Sequence, residues 1–133
     1  MGEEGIPVLI ETLDDVSASC GVTESELRTA VNRELLDNGI RVLDSLSSTT
    51  FYVNINTLYF EPVDVCVSNV DIHLSDFVSA TPAHSEQEVF GPFLVMDEGS
   101  LRSSIRSIHR QVIRDTLSRL AETIAVAIRV ANQ

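Results

Sequence analysis

No lysine occurs in the 133 residues, and nine arginines stand against twenty acids, for a formal net charge of −11. Such a surface repels phosphate backbones, so nucleic acid is excluded as a natural partner. A lysine-free acidic composition reads as a genomic or saline-habitat bias before it reads as a function. No stretch of eighteen apolar residues exists, so no membrane span is expected. Six glycines form no phosphate-cradling loop, and no serine or cysteine has a nucleophile elbow or a histidine beside it in sequence. Repeats and low-complexity segments are missing too. With no catalytic or cofactor motif, the expectation is a non-enzyme that holds no cofactor and no metal. The only cysteines, Cys20 and Cys66, form one disulfide in an oxidising compartment or remain two buried thiols in a reducing one.

What is present suffices for one α+β domain over residues 1–133. Apolar residues make up 44% of the chain, and a chain of this length buries about two-thirds of its unfolded surface. Met1-Gly2-Glu3-Glu4 is acidic and does not resemble a signal peptide. A native Met1 implies the cytoplasm; a leader already removed implies a periplasmic or otherwise exported protein.

The last quarter organises the rest. Gly99 breaks the chain, Ser100 can cap a helix, and residues 101–132 contain neither glycine nor proline, predicting a helix of about 48 Å. Leu101, Ile105, Ile108 and Val112 share one face, while Ile113, Leu117, Leu120, Ile124, Ala127 and Ile128 cluster on another. The face therefore turns near Val112. From Leu120 to Ala131 only Glu122, Thr123 and Arg129 are polar, which predicts a second chain packed on Ala125 and Val126, hence a dimer or larger. Arg102, Arg106, Arg110 and Arg114 recur every fourth residue. Their stripe is a solvated face with acids nearby or, alternatively, a site for an anion or a partner. Residues 100–132 carry six Arg against two acids (+4), and residues 1–99 three Arg against eighteen acids (−15), so the molecule is dipolar.

Upstream, Ile6 to Leu13 reads as a strand, and Thr23 with Glu26 makes a capping box for a helix that Gly39 stops. Ile40 to Leu43 is a short extended segment. Phe51, Val53 and Ile55 alternate with Tyr52, Asn54 and Asn56; Pro62-Val63-Asp64 turns the chain; Val70, Ile72 and Leu74 alternate with Asn69, Asp71 and His73. This is an antiparallel sheet covered on one face. Thr81 to Glu88 reads as an exposed loop containing His84, and Val89 to Met96 as an edge strand interrupted by Gly91-Pro92. The sum is a two-layer α+β sandwich: a mixed, mostly antiparallel sheet of four to five strands, two helices on one face, and a long C-terminal helix.

Several short motifs carry a resemblance. They are the Ile6-Pro7-Val8-Leu9-Ile10 strand, the Cys20-Gly21-Val22-Thr23 helix start, the Asn38-Gly39-Ile40-Arg41-Val42 helix end, Phe51-Tyr52-Val53-Asn54-Ile55 before the Cys66 strand, and the Ala131-Asn132 ending. Together they resemble uncharacterised bacterial exported domains whose fold is similar to the N-terminal domain of TolB. That resemblance implies an envelope interaction module and supplies no catalytic residues.

The best site-like constellation is the sheet's polar face: Tyr52 and Asn54 on one strand with Asn69, Asp71 and His73 on the next. Asn69, Asp71 and His73 point the same way, yet any solvated sheet face shows such a row, and contact with another chain suits it better than metal binding. His109, among arginines, reads as a surface residue. The expected function is a non-catalytic cell-envelope interaction module, a homodimer or the partner of an envelope protein. The alternative is a small-ligand or anion binder using the arginine stripe.

Overall fold

The computed structural model describes residues 5–45, 49–80 and 89–131. Chain order is β1 (Ile6–Ile10), α1 (Asp15–Ser19), α2 (Glu24–Asp37), β2 (Val42–Leu43), β3 (Thr49–Phe60), a 3₁₀ turn (Glu61–Val63), β4 (Val65–Ala80), β5 (Val89–Ile105) and α3 (Arg106–Ala131). One mixed five-stranded sheet has the order β2-β1-β3-β4-β5. β1 runs parallel to both its neighbours, and β3, β4 and β5 form an antiparallel meander. The fold is the α+β sandwich read from the sequence, with one addition, the single-turn α1 that Asp14 caps by accepting from the Ser17 amide. The Thr81 to Glu88 segment, His84 included, lies outside the described residues.

Alternation decides which face of the sheet is covered. Phe51, Val53 and Ile55 on β3 and Val70, Ile72 and Leu74 on β4 point inward and are buried with Ile6, Val8 and Ile10 of β1. The helices lie over this face and cover it with Leu27, Val31 and Leu35 of α2 and Ile113, Leu117, Ile124 and Ile128 of α3. Thr23 caps α2 by accepting from the Glu26 amide at 3.4 Å. The Glu26 carboxylate does not return to Thr23 but turns toward α3. Gly39, at φ 76°, ends α2 with its own amide on the Leu36 carbonyl and the Ile40 amide on that of Leu35, the left-handed stop that only glycine adopts cheaply. Gly5 (φ 100°) is needed for space as well, because a Cβ there would collide with the Arg41 carbonyl that receives the Ile6 amide.

The last helix begins five residues later than its sequence suggests, at Arg106 rather than Leu101. Ser100 caps nothing: it pairs with Val70 in the ladder, and Arg102 and Leu101 are strand residues opposite Ser68 and Asn69. A spacing of four keeps Leu101 and Ile105 on one side of a strand as well as of a helix, so their periodicity could not distinguish the two. The long β4 decides, because its residues 65–70 need ladder partners on the side away from β3, and β5 supplies them. The turn of the apolar face at Val112 is therefore the junction of two elements. Near the end of α3, Ile124 and Ala125 are fully buried in their own chain and Ile128 nearly so, while Val130 is 57% exposed. Ala125, expected at a dimer contact together with Val126, is thus part of the core of its own chain, whereas Val126 is half-buried.

A disulfide joins Cys20, at the C-terminal cap of α1, to Cys66 on β4, with Cα atoms 6.3 Å apart. It ties the helical layer to the meander across 46 residues of sequence. Replacing both cysteines by serine should cost up to about 4 kcal/mol by the chain-entropy relation, read as a lower urea midpoint. A loss below about 1 kcal/mol would show that the intervening chain is already constrained when unfolded.

Candidate functional site

Alternation that buries one side of the meander presents the other side to solvent, with none of the described helices over it. Across β3, β4 and β5 the outward side chains line up in five rows: Tyr52, His73 and Asp97; Asn54, Asp71 and Gly99; Asn56, Asn69 and Leu101; Leu58, Val67 and Ser103; Phe60, Val65 and Ile105. The face changes character along the strands. Its first rows are polar and its last are apolar, with Leu58 65%, Phe60 51%, Leu101 68% and Ile105 50% exposed. Val63 of the 3₁₀ turn and Ile108 in the first turn of α3 are exposed near the same end.

The polar half brings together most of the constellation expected from sequence and adds a residue. The Tyr52 and His73 rings stack with centroids 4.7 Å apart and planes 24° from parallel. Asp71 and His73 meet Asp97 of β5, with one donor atom from each residue all within 4.8 Å of one another. Partial burial raises the Asp71 carboxyl above the usual carboxylate range; a hydrogen bond with Asp97 and that residue's negative charge add to the rise, and His73 opposes it. The Tyr52 phenol is also raised, first by its hydrogen bond to Glu11 and then by burial. Gly99 lies opposite Asp71, and a Cβ placed there would come within 3.7 Å of Asp71 Oδ1, so its absence leaves the carboxylate open on that side. Sequence reading missed Asp97 because it ended the edge strand at Met96. The register shift between Leu74 and Ser75, where Val95 is passed over, is what brings Asp97 opposite His73.

The arginine stripe is divided. Arg102 is a strand residue of β5, whereas the other three are on α3. Arg106 pairs with Asp64 at 3.3 Å and lies over the Tyr59 ring, whose hydroxyl donates to the same carboxylate. Arg110 and Arg114 both reach Glu26 of α2, at 2.7 and 3.4 Å, and Arg114 also reaches Asp115. Arg33, Arg110, Arg114, Glu26 and Asp115 line an open groove of about 840 Å³ between α2 and α3, floored in part by Gly21. Acids of the same chain thus face the stripe.

His109 is fully buried, and its assignment to the surface was wrong. Its Nε2 is 2.7 Å from Ser68 Oγ and its Nδ1 2.7 Å from Ser104 Oγ. Ser68 continues to Thr57 at 2.7 Å, and Ser17 of α1 donates to Thr57 at 2.8 Å. Both ring nitrogens are engaged by hydroxyls, so the serine–histidine contact knits β3, β4, β5, α1 and α3 together. Burial lowers the His109 pKa and keeps the ring neutral. The sequence did carry the signal: residues 109, 113, 117, 121, 124 and 128 form one helical stripe.

No protein-family model matches the chain, and no curated protein matches it. Among solved structures it is similar to a minor lipoprotein from Acinetobacter baumannii, at 11% identity and a TM-score of 0.50 over 96% of this chain and 91% of that one. It is also matched to the PelC dodecamer from Paraburkholderia phytofirmans, at 16% identity and a TM-score of 0.46 over 88% and 86% of the two chains. A lipoprotein candidate from Caulobacter crescentus matches at 13% identity and a TM-score of 0.33 over 95% and 85%. The first of these shows a shared fold with a bacterial lipoprotein. Among the described residues no helix is long and apolar enough to cross a membrane.

Two predictions follow from the charges. Because the folded His109 pKa is lowered, the unfolded chain takes up its proton first as pH falls; the ring's contribution is fully present above about pH 6.5 and is lost on acidification toward the folded value. Urea midpoints from pH 8 to 5 should fall more steeply for the wild type than for His109→Gln, and equal slopes would remove His109 as the cause. The Arg106 and Arg110 pairs are solvent-exposed, each worth about 0 to 1 kcal/mol, so an R106Q/R110Q double variant should melt within a few degrees of the wild type. A fall of more than about 10 °C would mean that these pairs are structurally required.

Proposed function

We propose that this chain is a non-catalytic interaction module of a bacterial cell envelope that self-associates through the apolar half of its open sheet face. One observation carries the reading: Leu58 and Phe60 on β3 and Leu101 and Ile105 on β5, each at least half exposed, flank Val67 and Val65 of β4 on the same face of the sheet. A contiguous apolar patch on a rigid sheet, bordered by the polar rows, has the composition of an interface core with its rim. A disulfide supports an oxidising compartment, and the fold shared with an Acinetobacter baumannii lipoprotein supports the envelope. The resemblance of the motifs to TolB N-terminal-like exported domains belongs to the same reading. The alternative, an anion bound on the arginine stripe, has a groove to occupy. Glu26 already holds both Arg110 and Arg114 there, which lowers the pull on any incoming anion.

Light scattering at about 100 µM should find a dimer or larger assembly, a concentration well above micromolar dissociation constants. Leu58→Glu with Leu101→Glu should yield a monomer with an unchanged far-UV spectrum, since both side chains point away from the core. A wild type that is monomeric at this concentration would rule out self-association.

A further inference from the structure

We propose that Asp71, His73 and Asp97 form a binding site for a divalent first-row transition metal ion on the open face of the sheet, supplying two carboxylate oxygens and one imidazole nitrogen. The inference does not rest on the docking reading, because it concerns the opposite half of the face. Residues 71 and 73 project from the same side of β4, and Asp97 is the direct cross-strand neighbour of His73, so the ladder fixes three donors at the corners of a triangle. One donor atom from each already lies within 4.8 Å of the others. Metal–ligand bonds of about 2.0–2.2 Å bring donors to roughly 3–3.5 Å apart, a closure that small side-chain rotations on a solvent face can make.

The surroundings favour the same use. β4 is paired along both sides, which holds the two central ligands on a stiff backbone. Tyr52, stacked on the His73 ring, restricts its rotation, and Gly99 leaves the Asp71 carboxylate open to an incoming ion. Asp71 and Asp97 hold two like-charged groups close together, and a dication between them replaces repulsion by attraction. The imidazole sets the class of ion. Carboxylates alone suit magnesium or calcium, whereas a nitrogen donor added to two oxygens suits zinc, manganese or ferrous iron, with further positions open to water or to a donor from another molecule.

The test uses chelator-stripped full-length protein titrated calorimetrically with Zn²⁺ and, separately, with Mn²⁺. One ion per chain should bind, and His73→Ala and Asp97→Asn should each weaken binding by about tenfold or more. Leu58→Glu should leave it unchanged, which separates this site from the docking surface. In the wild type, Mn²⁺ should broaden the NMR signals of the His73 ring before those of the buried His109 ring, a readout that needs no variant to fold. Binding that His73→Ala does not alter would overturn the proposal, as would binding no tighter than millimolar or a preference for Ca²⁺ over Zn²⁺.

Discussion

The packing of α3 across the inner face of β4 and β5 is the contact from which the remaining structure follows. One helical stripe, from His109 through Ile113 and Leu117 to Ile124 and Ile128, meets Phe51, Val53, Val70, Ile72 and Leu74. Burying a large aliphatic or aromatic side chain contributes about 1.5–3 kcal/mol, so this seam and its continuation onto α2 dominate the favourable side of folding. Since every helix is committed to that side, the opposite side of the meander remains in solvent. The exposed rows are a direct result of a two-layer fold whose helices all lie on one layer.

Polar groups set the limits of the seam. Beyond Ile55 and Val70 the inner face of the sheet changes to Thr57 and Ser68, and the helix answers with His109 in place of an aliphatic residue. Each hydroxyl in this thread meets another polar atom at 2.7–2.8 Å, which satisfies groups that would otherwise be costly to bury. The disulfide lies next to this thread in sequence, through Cys66 and Ser68, and adds a covalent tie where apolar contact is thinnest.

Much of this was legible in the residues. The 2.0 period over Phe51 to Asn56 and Asn69 to Asp76, the Thr23 cap and the Gly39 stop each state a local preference that the fold keeps, so the sheet and α2 were readable. The start of α3 was not, because Leu101, Ile105 and Ile108 satisfy a helical spacing that only the ladder with β4 overrides. The polar row of Tyr52, Asn54, Asn69, Asp71 and His73 was visible on its own strands. Asp97 was hidden, since cross-strand register depends on a register shift that no local pattern announces. The buried role of His109 was available from its place in the stripe, but the four nearby arginines suggested solvent.

The position of β1 has a consequence for how the chain assembles. β3, β4 and β5 are joined by hairpin-like connections and pair with their sequence neighbours, whereas β1 lies in the middle of the sheet between β2 and β3, more than thirty residues downstream in each case. Closing the short connections costs less chain entropy than closing the long ones, so the meander with α3 is the cheaper nucleus and the first strand enters last. Until it does, the β3 edge is an unpaired row of amides and carbonyls open to any extended chain. A protein exported in an unfolded state would therefore be most exposed to mispairing at the β3 edge, until β1 seats on it.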